Sequence, residues 1–328
     1  MKHLFYLFVF VFLSSCKEPI KNTKISGPVF GTTYNITYHS DINFQKQFDS
    51  LFGIINQSMS TYQADSYISK LNHNEDNLVD SHFKRVFDAS KEIYKETEGA
   101  FDPTIGAVVN AWDFGPEGRI EHIDSLKIDS LMASVGFNKL ALSADGNNYR
   151  IDKPKATRID FNAIAKGYGV DVIGEFLGSK GVENYLVEIG GEIRTRGINA
   201  EKKSNWKVGV EMPHFDGSQS ILKAISLHGE SMATSGTYRK FKTDAEGNRY
   251  AHIIDAKTGY PSKTNLLSVS VIAENCMTAD AYATAFQAMG IEKVKSFLKT
   301  HPELKVFLIF ENDKKELETL TLNGFPEN

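Results

Sequence analysis

Asp280 and Thr284 stand four residues apart in Thr278-Ala279-Asp280-Ala281-Tyr282-Ala283-Thr284, so on a helix both project from one face. A carboxylate and a hydroxyl are hard oxygen donors, suited to Mg2+ or Ca2+ and poor for zinc. The plain alternative is that Thr284 bonds the backbone one turn back while Asp280 sits in a first turn that the helix dipole favours. In Asp160-Phe161-Asn162-Ala163-Ile164-Ala165-Lys166-Gly167 the chain crosses from strand to helix, with Asn162 as a plausible N-cap. Lys166 then falls near the first turn, where a cation is disfavoured unless an anion such as phosphate binds there. His252 precedes Asp255 by three residues ahead of a turn. It is a candidate proton carrier, although a lone histidine is more often structural.

Three Gly-rich segments complete the chemistry-bearing set. Gly99-Ala100-Phe101-Asp102-Pro103-Thr104 follows a helix, where the glycine is a natural C-cap. Ile189-Gly190-Gly191-Glu192 ends a strand with two glycines, where a ligand can approach the backbone closely. Ala233-Thr234-Ser235-Gly236-Thr237-Tyr238-Arg239 reads as a turn whose N–H groups can form an anion nest beside Arg239, or as an ordinary turn. Other signatures are missing. There is no G-x-x-x-x-G-K-[ST] and no H-E-x-x-H. Gly167-Tyr168-Gly169 lacks the third glycine of a dinucleotide fingerprint and lies inside a helix rather than opening one. Gly229-Glu230-Ser231-Met232-Ala233 lacks the second glycine of a nucleophile elbow.

The elements that must position these residues are legible from periodicity. Helical spacing runs from Ser81 to Thr97, from about Ala163 to Leu177, after Asn275, and from about Ile291 to Lys299. Strand alternation marks Tyr34 to Tyr38, Trp206 to Val210 and Leu267 to Val271, with a more buried strand over Lys305 to Phe310. Met212 to Ser218 reads as a hairpin loop. Single helices among grouped strands predict an α+β domain with a largely antiparallel sheet over residues 27–320. The 328 residues are 41% apolar, enough for a sizeable core, and 37 Lys plus Arg against 41 Asp plus Glu argue against nucleic acid as a partner.

At the amino terminus, Lys2 precedes ten apolar residues, Leu4 to Leu13, followed by Ser14-Ser15-Cys16. That run gives roughly 15 Å of helix, half a bilayer core. It predicts a signal peptide over 1–15 with a bacterial lipobox, lipid on Cys16, a polar tether over 16–26, and an exported protein anchored to a membrane and facing the periplasm. The second cysteine, Cys276, then has no disulfide partner.

Taken in order, these segments resemble the ApbE family of FAD:protein FMN transferases. The matching pieces begin with Phe30-Gly31-Thr32-Thr33-Tyr34, Ser60-Thr61-Tyr62 and Glu98 to Thr104, followed by Trp112-Asp113-Phe114-Gly115 and Ile159 to Asp171. They end with Glu188 to Ile193, Ala233 to Gly236, His252 to Asp255 with Thr258 to Pro261, and Ala279 to Thr284. The resemblance implies a Mg2+-dependent transfer of FMN from FAD to a threonine or serine hydroxyl of an acceptor protein, with release of AMP. It also implies magnesium ligands at the Ala163 carbonyl, Asp280 and Thr284. Flavin contacts would fall on Phe30, Tyr62, Ala100, Phe101, Asp102, Asp160, Lys166 and Ile254, and catalytic roles on His252 and Asp280. The acceptor implied is an exported redox subunit or a flavin reductase; the alternatives are FAD hydrolysis, with water replacing the acceptor at the same metal site, or a periplasmic flavin-binding lipoprotein. Phe161 and Asn162 depart from the small residues many members carry there, but a carbonyl ligand at Ala163 needs no particular side chain.

Overall fold

The computed structural model describes residues 21–117, 120, 123–243 and 249–327. The expected signal peptide and Cys16 lie outside the described residues. In chain order the elements are β1 (Asn22–Val29), β2 (Thr32–His39), α1 (Gln45–Met59), α2 (Tyr67–His73), β3 (Leu78–Val79), α3 (Ser81–Glu96), α4 (Gly106–Ala111) and α5 (Ser125–Met132). Then come β4 (Ala141–Asp145), β5 (Asn148–Asp152), α6 (Ala165–Ser179), β6 (Tyr185–Ile189), β7 (Glu192–Arg196), β8 (Trp206–Glu211), β9 (Ile221–Leu227) and β10 (Ser231–Gly236). The chain ends with β11 (Phe241–Thr243), β12 (Arg249–Ala251), β13 (Leu266–Ala273), α7 (Cys276–Met289), α8 (Ile291–Phe297), β14 (Lys305–Glu311) and β15 (Leu317–Leu322).

One large sheet organises the molecule. Its order is β1-β2-β6-β7-β10-β13-β14-β15, and every neighbouring pair is antiparallel. Helices α6 and α7 lie against its central strands and against each other. The hairpin β8–β9 covers the other side, burying Val208, Val210, Ile225 and Leu227 with Ile193, Met232, Ile272 and Phe307. Covered on both faces, β13 is buried along its whole length. Its serines are therefore interior, and Ser270 shares a 2.8 Å hydroxyl contact with Thr234. This is the α+β, mainly antiparallel architecture that the grouping of strands predicts.

The boundaries differ in instructive places. The polar stretch read as tether enters β1 at Asn22, because backbone pairing with β2 and the burial of only Ile25 and Val29 suffice to hold it. At the far end β15 runs past residue 320, and Phe325 is buried on Phe307. Helix α6 starts at Ala165, and Asn162 is not its cap: the Asn162 N–H donates to Asp160 Oδ1 at 2.7 Å, tightening the turn before the helix. The segment from Ala233 to Gly236 is strand rather than nest, since β10 pairs with β13 along its whole length and with β7 at its start.

Candidate active site

Helices α6 and α7 cap each other. The first three N–H groups of a helix have no partner inside it. In α6, the Gly167 N–H donates to Asp280 Oδ2 of α7 at 3.0 Å. In α7, the Cys276 and Met277 N–H groups donate to Asp171 of α6 at 3.0 and 2.8 Å, while Asn275 accepts from Thr278 N–H at 2.8 Å. Arg194 on β7 completes Asp171 with a 2.7 Å ion pair. Both helix starts are thereby held by buried carboxylates, which the dipole favours there.

That junction forms one wall of a cleft of about 1200 Å³, counting its solvent-open mouth. Ala163, Lys166, Asp280 and Thr284 line it, as do Ala100, Phe101, Asp102, Asp160, His252 and Ile254. Ten of the expected site residues, drawn from four stretches of sequence, are thus brought to one surface. Two are not. Phe30 sits in the β1–β2 turn at φ 48° and packs edge-on against Phe52 at 5.6 Å. Its ring fills the space over Gly169, where a Cβ would come within 2.8 Å of it. Tyr62 is 62% exposed. Partial burial and then the Asp160 charge raise its phenol above the ordinary value, which places it beside Asp160 but outside the cleft lining.

Glu192 is the residue whose role the sequence reading missed. It opens β7 directly after the Gly190-Gly191 turn, where both glycines have positive φ, and it is 2% exposed. Its Oε1 lies 2.5 Å from Lys166 Nζ, so the anion that offsets a lysine in a helix first turn is a side chain of the protein itself. Its Oε2 is buried without a hydrogen-bond partner. Burial first, then the nearby Asp280, push the Glu192 carboxyl up to about 7 against the pull of Lys166. Burial also raises Asp280, opposed by Lys166 and the Gly167 N–H. For Lys166, burial would lower the ammonium, but the charges of Glu192 and Asp280 outweigh it and hold the group above its ordinary value. A lone charge in a strand-to-turn position that alternation points inward was the available signal.

On the opposite side His252 Nδ1 is 2.9 Å from the Lys240 carbonyl. A carbonyl only accepts, so the proton sits on Nδ1 and Nε2 is left as a proton acceptor. Burial, with the charges of Lys240 and Lys166, lowers the imidazole below its ordinary 6.5, against that hydrogen bond. Asp102 is occupied locally: its Oδ1 accepts from Thr104 N–H at 2.9 Å and Thr104 Oγ1 at 2.6 Å. Phe101, Phe114 and Ile254 supply the apolar surface.

Among the described residues no three His, Cys, Asp or Glu side chains cluster as a metal centre. The cleft nevertheless fits a hard divalent cation. Two buried carboxylates face one ammonium, a buried carboxylate oxygen is unpaired, and the hydroxyls of Thr284 and Ser235 stand 3.4 Å apart alongside. Ala163 precedes the helical cap Ile164, and Gly167 N–H is engaged by Asp280, so the Ala163 carbonyl lies outside the helix ladder.

Comparison with known proteins shows the family to which the chain belongs. The ApbE family model matches residues 30–308. A curated relative from Vibrio cholerae, named FAD:protein FMN transferase, is 36% identical over 92% of this chain and 91% of its own length. One of the same name from Haemophilus influenzae is 35% identical over 92% and 90%. Among solved structures, the flavin transferase ApbE from Vibrio cholerae superposes with a TM-score of 0.80 at 35% identity, covering 92% of this chain and 97% of that one. The apo flavinyl transferase ApbE of Pseudomonas stutzeri gives 0.80 at 29%, covering 92% and 95%. The chain belongs to the ApbE family.

Proposed function

We infer that the protein transfers the FMN half of FAD to a threonine or serine hydroxyl of an acceptor protein, releasing AMP, with Mg2+ as cofactor. The observation that carries this is the convergence in one cleft of the oxygen donors Asp280, Thr284 and Ala163, the cation Lys166, and a histidine with a free ring nitrogen. Mg2+ held by Asp280, Thr284 and the Ala163 carbonyl would offset the charge of the diphosphate and make its phosphorus more electrophilic. Lys166 adds a fixed positive charge on the same side, and Phe101, Phe114 and Ile254 offer the flavin an apolar wall.

His252 does the proton work. The acceptor O–H gives its proton to Nε2 as its oxygen bonds the FMN-side phosphorus. The bond from that phosphorus to the bridging oxygen breaks, and AMP leaves with that oxygen. Because Nδ1–H is anchored on the Lys240 carbonyl, the ring cannot present the wrong nitrogen. Asp280 accepts the Gly167 N–H and would hold the cation, which would make it a ligand rather than a base.

The amino-terminal reading extends this to a membrane-anchored, periplasm-facing lipoprotein. With β1 starting at Asn22, a lipid on Cys16 would leave a link of about 17 Å at full extension. The acceptor would then be an exported protein. Purified protein incubated with FAD, Mg2+ and an acceptor protein should yield AMP together with a flavin-fluorescent acceptor band on a denaturing gel, and Asp280→Ala should yield neither. AMP without a labelled acceptor would make the protein an FAD hydrolase, and no AMP at all would end both readings.

A further inference from the structure

Lys166 has two carboxylates within reach of its charge and pairs with only one. Its neighbour Gly167 donates its N–H to Asp280, so the lysine stem leaves the backbone one residue from the Asp280 carboxylate. The ammonium nonetheless lies on Glu192, 2.5 Å from Oε1. Glu192 is fixed there by the Gly190-Gly191 turn: a Cβ on Gly190 would come 2.8 Å from Thr32 Cγ2 and 3.4 Å from Glu192 Oε2. Its Oε2 is buried without a hydrogen-bond partner, so the ammonium engages only one of the two carboxylate oxygens.

We propose that Glu192 is a positioning residue that draws the Lys166 ammonium away from Asp280, keeping the Asp280 carboxylate free to bind a divalent cation. Without it, the flexible four-carbon stem of Lys166 would let the ammonium swing onto Asp280 and compete with the cation for the same oxygens. Glu192 therefore acts through Lys166 and does not itself ligate. The inference rests on the cation-site reading above.

The test is Mg2+ alone, without flavin, titrated at constant ionic strength while the melting temperature is followed. Wild type should be stabilised by Mg2+ and Asp280→Asn should not; if neither or both respond, the cation site at Asp280 is wrong and this proposal falls with it. Given a wild-type response, Glu192→Gln should raise the half-saturating Mg2+ by about tenfold or more, the scale of bringing one unit charge into contact with the ligand. Adding Lys166→Met to Glu192→Gln should return it to within about threefold of wild type, because the competitor is gone. An unchanged Glu192→Gln titration overturns the proposal. So does a weakened one that Lys166→Met fails to rescue, which would make Glu192 a direct ligand. Should Glu192→Gln not fold, Lys166→Met alone decides: Mg2+ half-saturation no weaker than wild type supports the proposal, and a weaker one refutes it.

Discussion

Gly167→Ala is the sharpest probe of the α6–α7 junction. Gly167 has ordinary helical backbone, so alanine there would by itself stabilise the helix by about 1 kcal/mol. The new methyl has nowhere to go. It would lie 2.4 Å from the Cys276 carbonyl oxygen, 2.7 Å from its carbon and 2.8 Å from Asp280 Cβ. The atoms it meets are backbone and a Cβ, not a flexible side-chain tip. Restoring van der Waals separation requires the start of α7 to retreat by about 1 Å. Overpacking of this kind costs about 1–3 kcal/mol, which the helix gain offsets in part, so the melting temperature should fall by no more than about 5 °C. Function should suffer far more. The retreat lengthens the Gly167 N–H to Asp280 bond and displaces the carboxylate from the Ala163 and Thr284 oxygens. A 1 Å misplacement of a reacting constellation costs on the order of 100-fold. AMP release and flavin transfer should fall by that factor, with the Mg2+-induced rise in melting temperature lost. Gly178→Ala, near the end of the same helix, meets only the Arg196 guanidinium at 3.1 Å and should leave activity unchanged. Wild-type turnover and Mg2+ response in Gly167→Ala would show that the helix contact does not set the position of Asp280.

His252→Ala should still bind FAD, by fluorescence quenching, while transfer slows by about 100-fold or more. With His252 as the proposed proton acceptor, the neutral imidazole would be the active form in wild type, and its folded value lies below 6.5. Activity is therefore kept as pH drops through 6.5 and lost only below it, and the acid limb of kcat/KM should vanish in His252→Ala. The sign for stability follows from the same shift: between the folded value and 6.5 the unfolded chain binds more protons, so this residue's contribution falls as pH falls. Asp280→Ala should abolish transfer at any Mg2+ concentration while circular dichroism remains native; full activity at limiting Mg2+ would remove Asp280 from the site. Asp171→Ala strips two buried N–H groups and Arg194 of their partner. It should lower stability to urea by about 3 kcal/mol, the lower end for a broken buried pair because Arg194 is 24% exposed.

Residue type and period carried much of the fold. The apolar face of α3 and a helix following Asn275 read directly, and in the structure Asn275 caps that helix, α7. What the sequence hid is what depends on partners far along the chain. One miss was local: Asn162 reads as a helix cap, yet its N–H goes to Asp160 two residues back and the helix waits until Ala165. Phe30 has the right chemistry for a flavin wall, but its ring is claimed by Gly169 and Phe52. Lys166 was legible as a misplaced charge; which anion answered it was not, because Glu192 reaches it only once β7 is laid beside α6. Asp171, a lone charge in the apolar run from Tyr168 to Gly174, carried a signal that periodicity alone discards.

The carboxylates also explain why chemistry and architecture occupy the same residues. Asp171 and Asp280 each close the start of the opposite helix, and burying them is unfavourable unless something positive stands near. For Asp171 the protein provides Arg194, and the account closes locally. For Asp280 and Glu192 together, the ion pair found among the described residues is that of Lys166 with Glu192, so Asp280 is left without a paired cation of its own. Under the proposed function, a site left short of one positive partner would be relaxed by a bound cation, converting stability given up in the fold into affinity for what the reaction needs. The two caps are chemically alike, and what separates them is that Asp171 is paired with Arg194 while Lys166 pairs with Glu192 rather than with Asp280.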